Sequence, residues 1–286
     1  MSEKDTPTGQ THLISRRRLL AAALVTPAVL RATVAGGAAQ IQTSKSRTAL
    51  VTGSSRGIGA ATAKRLARDG FAVTVNYVQN HALAAGVVRE IEAADGRAIS
   101  VQADVSDPRA VRRLFDAHDS AFGGIDVVVS NAGIMRLAPF REMLDADFER
   151  MVDVNQKGSF YVMREAARRV RDGGRIITLS SSITQLRSPT YGPYAASKAA
   201  QEIFANVLAK ELEGRHISVN AIAPGVVNTT LFTDGKTHQQ IDGFVQRTPH
   251  KRLGEPSDIA DVISALCGRD GAWINGQTVF ANGGIV

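Results

Sequence analysis

Two tyrosines and a lysine in the segment YGPYAASKAA, residues 191–200, have the residue types for proton transfer. Lys198 follows Tyr194 by four residues, so their side chains share a face if the segment is helical. A neighbouring ammonium lowers the pKa of a phenol, which is otherwise about 10. Such a phenol can give a proton to a carbonyl oxygen or take one from an alcohol. The alternative is a solvated surface pair. Tyr191 has Ala195 at the same spacing, so we expect it to line a substrate pocket or to pack.

A second candidate site lies in the segment ALVTGSSRGIGAATAKRLA, residues 49–67. Gly53, Gly57 and Gly59 stand between an apolar run and a helical pattern. Glycines at a strand-to-helix turn let the backbone approach a pyrophosphate at the helix N-terminus, where free N–H groups point at it. The segment therefore predicts a dinucleotide-binding turn.

The elements that must position these residues alternate along the chain. From Arg47 onward, short apolar runs alternate with longer amphipathic segments, which predicts βαβ units. We expect an α/β fold, a doubly wound Rossmann-type parallel sheet of about seven strands with helices on both faces. The strand-like runs are TALVT, AVTVN, AISVQ, DVVVS, RIITLS, ISVNAI and TVFA. The predicted helices span residues 57–69, 81–94, 108–122, 145–171, 194–213 and 256–267. The weakly patterned stretch 226–253 has room for a lid.

The first 43 residues differ from the rest. Arg16 and Arg17 precede an apolar run over residues 19–30 and then small residues, the layout of a twin-arginine secretory signal. This predicts export to the periplasm; an unstructured tail or a misplaced start, with a cytoplasmic protein, is the alternative. The run is too short to cross a bilayer and contains Pro27, so no stable membrane insertion is expected. Residues 44–286 are predicted to form a single dinucleotide-binding oxidoreductase domain.

Charge and cysteine content exclude other classes of protein. The formal net charge of +7 is concentrated in residues 1–47, which hold seven basic and two acidic side chains. The remainder has 27 basic and 25 acidic residues, so no nucleic-acid partner is expected. Cys267 is the only cysteine, which excludes an internal disulfide. The histidines have no ligand spacing, so no metal site is expected; they are His12, His81, His118, His216, His238 and His250.

The order of the motifs resembles that of the short-chain dehydrogenase/reductase family. The glycine turn matches its pattern T-G-x-x-x-G-x-G, and YAASK matches its Tyr-x-x-x-Lys. The resemblance covers nearly all of residues 47–286. Further matching segments are SNAG at 130–133, VNQKG at 154–158, IITLSSS at 176–182, PGVVNT at 224–229, RLGEPSDIA at 252–260 and INGQTVFANGG at 274–284.

The resemblance implies four catalytic residues, which are Asn155, Ser181, Tyr194 and Lys198. The family's serine stands thirteen residues before the tyrosine, which selects Ser181 and leaves Ser180 and Ser182 as neighbouring alternatives. Tyr194 would be the acid and base, and Ser181 would hydrogen-bond the same substrate oxygen. Lys198 would bind the nicotinamide ribose, and Asn155 would hold a water that links Lys198 to solvent.

The cofactor that the resemblance implies is NADP(H), with NAD(H) possible. No acidic residue ends the second strand, where Asn76 and Tyr77 stand, and Arg56 is placed to meet a 2′-phosphate. The implied cofactor-binding residues are Gly53, Ser55, Arg56, Gly57, Ile58, Gly59, Asn76, Tyr77, Asp104, Val105, Asn131, Ala132, Gly133, Tyr194, Lys198, Pro224, Gly225, Val227 and Thr229.

The sequence as a whole favours an NADPH-dependent enzyme that interconverts a small carbonyl compound and its alcohol. It is most similar to the aldehyde reductase-like branch of the family. The alternatives are 3-oxoacyl-(acyl-carrier-protein) reduction and, in another class, a non-catalytic nucleotide-sensing protein. The family implies a homotetramer. The expected substrate wall consists of Met135, Arg136, Ile183, Leu186, Tyr191 and the stretch 226–253.

Overall fold

Seven strands form one parallel sheet in the order β3-β2-β1-β4-β5-β6-β7. The strands are β1 Thr48–Val51, β2 Ala72–Tyr77, β3 Arg97–Gln102, β4 Ile125–Ser130, β5 Val170–Leu179, β6 Ser218–Pro224 and β7 Thr278–Ala281. The chain winds one way from β1 to β3 and the other way from β4 to β7. The predicted doubly wound sheet is therefore confirmed. Its switch point lies between β1 and β4, where ligands bind in folds of this kind.

The computed structural model describes residues 47–286. The leader predicted for residues 1–43 lies outside the described residues. No helix within 47–286 is long and apolar enough to cross a membrane. The helices are α1 Gly57–Arg68, α2 His81–Glu92, α3 Pro108–Phe122, α4 Asp145–Met151, α5 Gly158–Arg169, α6 Ile183–Leu186, α7 Gly192–Glu211, α8 Thr230–Thr233, α9 His238–Arg247 and α10 Pro256–Cys267.

The central strands are buried on both faces. In β1, Ala49 and Val51 pack in one core with side chains of α1, α2 and α10, whereas Leu50 packs in a second core with α3, α5 and α7. Successive side chains of a strand point to opposite faces, so a strand between two helical layers must be continuously apolar. The uninterrupted apolar runs in the sequence have this cause.

The prediction of one continuous helix over residues 145–171 is wrong in the middle of that range. A π-helical turn, Val152–Lys157, separates α4 from α5, and the backbone turns into β5 at Val170. The turn carries Asn155, whose side chain bonds both backbone groups of Ile134 in the loop after β4. These long-range bonds hold the turn out of α-helical register, and π turns of this kind are common at functional sites.

The stretch 226–253 contains two helices that the pattern did not show. The second, α9, begins with a capping box in which Thr237 accepts from the Gln240 backbone and Gln240 accepts from the Thr237 backbone. Its sequence signal is the spacing Thr-x-x-Gln. The stretch is thus an ordered helical segment beside the site.

His118 on α3 is a buried histidine with both ring nitrogens engaged. Nδ1 lies 2.8 Å from Thr74 Oγ1, and Nε2 lies 3.2 Å from Thr48 Oγ1. Burial lowers the pKa of His118 to about 4. The unfolded chain therefore binds a proton at this histidine near pH 6.5. The folded protein binds it only near pH 4.

We expect this histidine to make the protein less stable as the pH falls from about 6.5 to 4. The loss is at most about 1.4 kcal/mol per pH unit and about 3 kcal/mol in all. Urea unfolding at pH 7, 6 and 5 should show a smaller loss for His118→Gln than for the wild type. The exposed His238 provides the control, since His238→Gln should keep the wild-type slope. Equal slopes for all three proteins would contradict this account.

Candidate active site

A cleft of about 1230 Å³ opens at the carboxyl edge of the sheet. It lies over the switch point between β1 and β4 and is bordered by the N-termini of α1 and α2. The predicted cofactor residues that line it are Gly53, Ser55, Arg56, Gly57, Ile58, Gly59, Asp104, Val105, Asn131, Ala132, Gly133 and Thr229. The fold therefore brings most of the residues in the cofactor prediction to one surface.

The backbone of the glycine turn forms part of the floor of this cleft. Gly53 has a φ of +60°, and a Cβ there would lie 2.8 Å from the Cα of Ala132. Only glycine fits this position. No side chain caps the N-terminus of α1 at Arg56, so the first-turn N–H groups are available to a ligand in the cleft. This arrangement suits the pyrophosphate of a dinucleotide.

Asn76 and Tyr77, both predicted to bind the cofactor, are buried and do not line the cleft. Asn76 Oδ1 accepts from Gly53 N at 3.0 Å, and Asn76 Nδ2 donates to Ala103 O at 3.0 Å. Tyr77 packs edge-on against the ring of His81. Asn76 thus supports the glycine turn from within the protein. The prediction that it contacts the cofactor directly is corrected: its contact is with the turn.

The cleft is lined instead by the residues that follow, Val78, Gln79, Asn80 and His81. Strand β2 runs to Tyr77, one residue beyond the run AVTVN, so the sequence interpretation placed the strand end too early. Asn80 caps α2 by accepting from Leu83 N at 3.1 Å. An Asn before a helical pattern was the signal that could have located this end.

Beside the end of β2, after the neighbouring strand β3, Asp104 is fixed by three hydrogen bonds. Its Oδ1 accepts from the backbone and the hydroxyl of Ser106, and its Oδ2 accepts from Arg150 at 2.9 Å. Burial acts to raise the pKa of Asp104, but these hydrogen bonds hold that pKa below its usual value. Arg150 lines the cleft and was missed in the sequence, because only the fold brings α4 beside the end of β3.

Tyr194 and Lys198 share a buried face of α7. Their side chains are only 7% and 5% exposed, so the alternative of a solvated surface pair is wrong. Lys198 Nζ lies 5.9 Å from the centroid of the Tyr194 ring and donates to the Leu179 carbonyl at 2.6 Å. The helical spacing therefore does place the cation beside the phenol, next to the end of β5.

The three consecutive serines after β5 have different surroundings. Ser180 Oγ lies 2.5 Å from Glu202 Oε1, and Ser182 Oγ lies 3.2 Å from the Ala223 carbonyl. Ser181 is the one of the three whose hydroxyl lowers the pKa of Tyr194, which places it next to the phenol. Of the three candidates, the geometry selects Ser181 as the partner of Tyr194.

Burial dominates the electrostatics of the pair. It raises the pKa of Tyr194, and the neighbouring Ser181 hydroxyl opposes this only in part. It also lowers the pKa of Lys198 to about 8. The net lowering of the phenol's pKa that the sequence led us to expect is therefore wrong for the protein alone, because burial outweighs it. At neutral pH the phenol keeps its proton, which suits a proton donor.

Asn155 lies in a fully hydrogen-bonded network behind this pair. Its side-chain amide donates to Ser197 Oγ at 3.1 Å, and its backbone carbonyl accepts from Gln201 Nε2 at 3.1 Å. A methyl group on Gly133 would lie 3.3 Å from Asn155 Oδ1 and 3.4 Å from Lys198 Nζ, which places the two near each other. The predicted water between Asn155 and Lys198 stays a prediction. Gln201 was missed because its partners are distant in sequence.

A smaller pocket of about 120 Å³ opens above Ser181 and Tyr194. Of its predicted wall, Met135, Ile183, Leu186 and Tyr191 line it, together with part of the stretch 226–253, including Phe232 and Phe244, whose rings meet edge-on at 5.3 Å. The predicted cofactor residues that line it are Ile58, Asn131, Gly133, Tyr194, Lys198, Pro224, Gly225, Val227 and Thr229. Arg136 lies apart from this pocket, in the larger cleft, and pairs with Asp147. Residues 47–286 contain no cluster of side chains suited to a metal ion.

Comparison with known proteins gives consistent matches over this region. A family model described as enoyl-(acyl carrier protein) reductase matches residues 53–286. An NADPH-dependent aldehyde reductase-like protein of Arabidopsis thaliana is 42% identical over 254 residues, which cover 84% of this chain and 94% of that protein. A short-chain type dehydrogenase/reductase of Picea abies is 41% identical, covering 84% and 92%. A short-chain dehydrogenase of Burkholderia cenocepacia, solved with NADP, superposes with a TM-score of 0.80 at 38% identity, covering 84% and 97%.

The different surroundings of the serines predict different effects of their removal. Ser181→Ala should lower kcat about a hundredfold, as the loss of one donor to a developing oxyanion does. Ser182→Ala should keep most of the rate, since its hydroxyl bonds the Ala223 carbonyl and the Asn282 amide. Steady-state kinetics of both variants provide the measurement. If Ser181→Ala were fully active and Ser182→Ala inactive, the donor to the developing oxyanion would be Ser182.

Proposed function

This chain belongs to the short-chain dehydrogenase/reductase family, and we propose that it reduces an aldehyde or ketone to the alcohol with NADPH, reversibly. The observation that carries the proposal is the meeting of Ser181, Tyr194 and Lys198 in one buried pocket beside the cleft. A degenerate site would favour the alternative of a nucleotide-sensing protein. Here all the catalytic residue types are present, so catalysis is the better-supported function.

The chain's own residues supply the proton and the electrostatic part of this reaction. When bound, NADPH supplies the hydride that the carbonyl carbon receives. Tyr194 gives its proton to the carbonyl oxygen, and Ser181 donates a hydrogen bond to the same oxygen as negative charge develops there. Lys198 keeps a positive charge next to the phenolate that this transfer leaves, because its pKa of about 8 leaves it mostly protonated at pH 7.

The preference for NADP(H) is supported by the charge around the adenosine end of the cleft. Arg56 lines the cleft, and the residues that line it after β2, from Val78 to His81, include no acidic side chain. An acidic residue there would repel a 2′-phosphate, whereas arginine can bind one in bidentate fashion. The Arabidopsis relative named as NADPH-dependent and the Burkholderia structure with NADP support the same choice.

The substrate pocket favours a small apolar carbonyl compound. Its wall is formed by aliphatic, methionine and aromatic side chains, with Phe232 and Phe244 on the side of the helical segment 226–253. The alternative is a thioester carried on acyl carrier protein, either the 3-oxoacyl compound or the enoyl compound that the matching family model names. A panel of aldehydes, ketones and both thioesters with NADPH separates these possibilities. Turnover of the thioesters alone would favour the alternative.

Assembly into a homo-oligomer, with a tetramer as the family expectation, is part of the proposal. Phe160 on α5 and Ile203 and Val207 on α7 are 44%, 62% and 45% exposed. The rings of Phe160 and Phe204 lie 6.2 Å apart, so α5 and α7 share an apolar outer surface. Contiguous exposed apolar surface of this kind is typical of interfaces.

The roles of the two tyrosines predict opposite results for the same substitution. Tyr194→Phe should abolish turnover while NADPH still binds, because it removes only the proton donor. Tyr191→Phe should keep most of the rate, since Tyr191 lines the substrate pocket. Steady-state kinetics and NADPH fluorescence titration measure the two properties. An active Tyr194→Phe with an inactive Tyr191→Phe would reverse the assignment.

The cofactor preference predicts a selective effect at Arg56. Arg56→Ala should raise the KM for NADPH about tenfold or more, equivalent to about 1.4 kcal/mol, and leave the KM for NADH nearly unchanged. The measurement is steady-state kinetics with each cofactor. Equal losses with both would mean that Arg56 only shapes the glycine turn.

A further inference from the structure

Glu202 is a partly buried carboxylate on α7 that joins two hydroxyls from the loop after β5. Ser180 Oγ lies 2.5 Å and Thr184 Oγ1 lies 2.9 Å from the same oxygen, Glu202 Oε1. The two hydroxyls flank Ser181, one directly before it and one three residues after it. Thr184 Oγ1 also lies 3.0 Å from the Ser181 carbonyl. The carboxylate therefore holds the backbone on both sides of Ser181.

This contact joins the two elements whose side chains must meet. Helix α7 carries Tyr194 and Lys198, and Glu202 stands one turn after Lys198 on the same helix. Ser180 Oγ is also 3.3 Å from the Lys198 carbonyl, so the loop is tied to α7 beside the lysine itself. Hydrogen bonds to a carboxylate are roughly twice as strong as neutral ones, so Glu202 ties the loop to the helix firmly.

We propose that Glu202 is a positioning residue for the carbonyl reduction proposed above: it holds the Ser181 hydroxyl against the Tyr194 phenol. Misplacement of a reacting group by about 1 Å can cost about a hundredfold in rate, so a tie at this point acts on catalysis. The tie needs one oxygen that accepts two hydrogen bonds, and it does not need a negative charge. The proposal rests on the proposed function only for its kinetic readout.

The test compares Glu202→Gln, which keeps the accepting oxygen, with Glu202→Leu, which removes it. Glu202→Leu should lower kcat about tenfold and leave the KM for the carbonyl and the Kd for NADPH within about twofold. Glu202→Gln should stay within about threefold of wild-type kcat. Both hydroxyls have a second acceptor, so neither variant should unfold. Glu211→Leu, at an exposed carboxylate of α7, is the matched control and should behave as wild type.

A pH profile separates positioning from a general loss of structure. In the oxidation direction Tyr194 must lose its proton, and the neighbouring Ser181 hydroxyl favours that loss. In Glu202→Leu the Ser181 hydroxyl is no longer held beside the phenol. The pH at which kcat for alcohol oxidation rises should therefore be higher than in the wild type. Glu202→Gln and Glu211→Leu should keep the wild-type pH of this rise.

A crystal structure of Glu202→Leu without ligand gives a readout that needs no turnover. We expect the Ser181 hydroxyl to move away from the Tyr194 phenol there and to keep its wild-type place beside the phenol in Glu202→Gln. A wild-type enzyme inactive on every carbonyl would defeat the proposed function, and this structure would still decide the role of Glu202. The inference is overturned if Glu202→Leu keeps wild-type kcat, if both substitutions lower kcat equally, or if Ser181 keeps its place beside Tyr194 in Glu202→Leu.

Discussion

The exclusion of water from the face of α7 that carries Tyr194 and Lys198 is the constraint on which the site depends. Tyr194 packs with Met151 and Ile183 in a small apolar core of its own. Burial shifts both side chains toward their neutral forms, so the phenol keeps its proton and the pKa of Lys198 falls to about 8. A proton donor next to a cation that is still charged at pH 7 is the state that carbonyl reduction requires.

The sheet and its buried polar network hold this pair in place. The doubly wound order brings the glycine turn after β1 and the serine loop after β5 to one edge. Asn76 fixes the turn from behind, Asn155 fixes the loop after β4, and Gln201 joins α7 to the π turn that carries Asn155. Networks of this kind, fully satisfied in a low dielectric, rigidify a site and make each member costly to replace.

Local patterns in the sequence predicted the parts of this site that depend on local structure. The glycine turn, the Tyr194–Lys198 spacing and the seven apolar runs could be read from neighbouring residues. The parts that depend on distant contacts could not. The π turn at Asn155 follows from bonds to Ile134, and the buried place of the Asn76 side chain follows from its bonds to Gly53 and Ala103. The tie from Glu202 to Ser180 and Thr184 depends on the same long-range packing.

The measurement that tests the central claim most directly is the pH dependence of kcat/KM for NADPH, with the carbonyl substrate saturating. This quantity reports groups of the free enzyme. Lys198 has a pKa of about 8 in the protein without cofactor and loses its charge above it. The account predicts a level profile from pH 6 to 7 and a fall above about pH 8. Lys198→Arg, always charged, should move the fall to higher pH even if it is slower. A wild-type profile level through about pH 9.5 would contradict the account, because a lysine of unaltered pKa, about 10.4, would still be charged there.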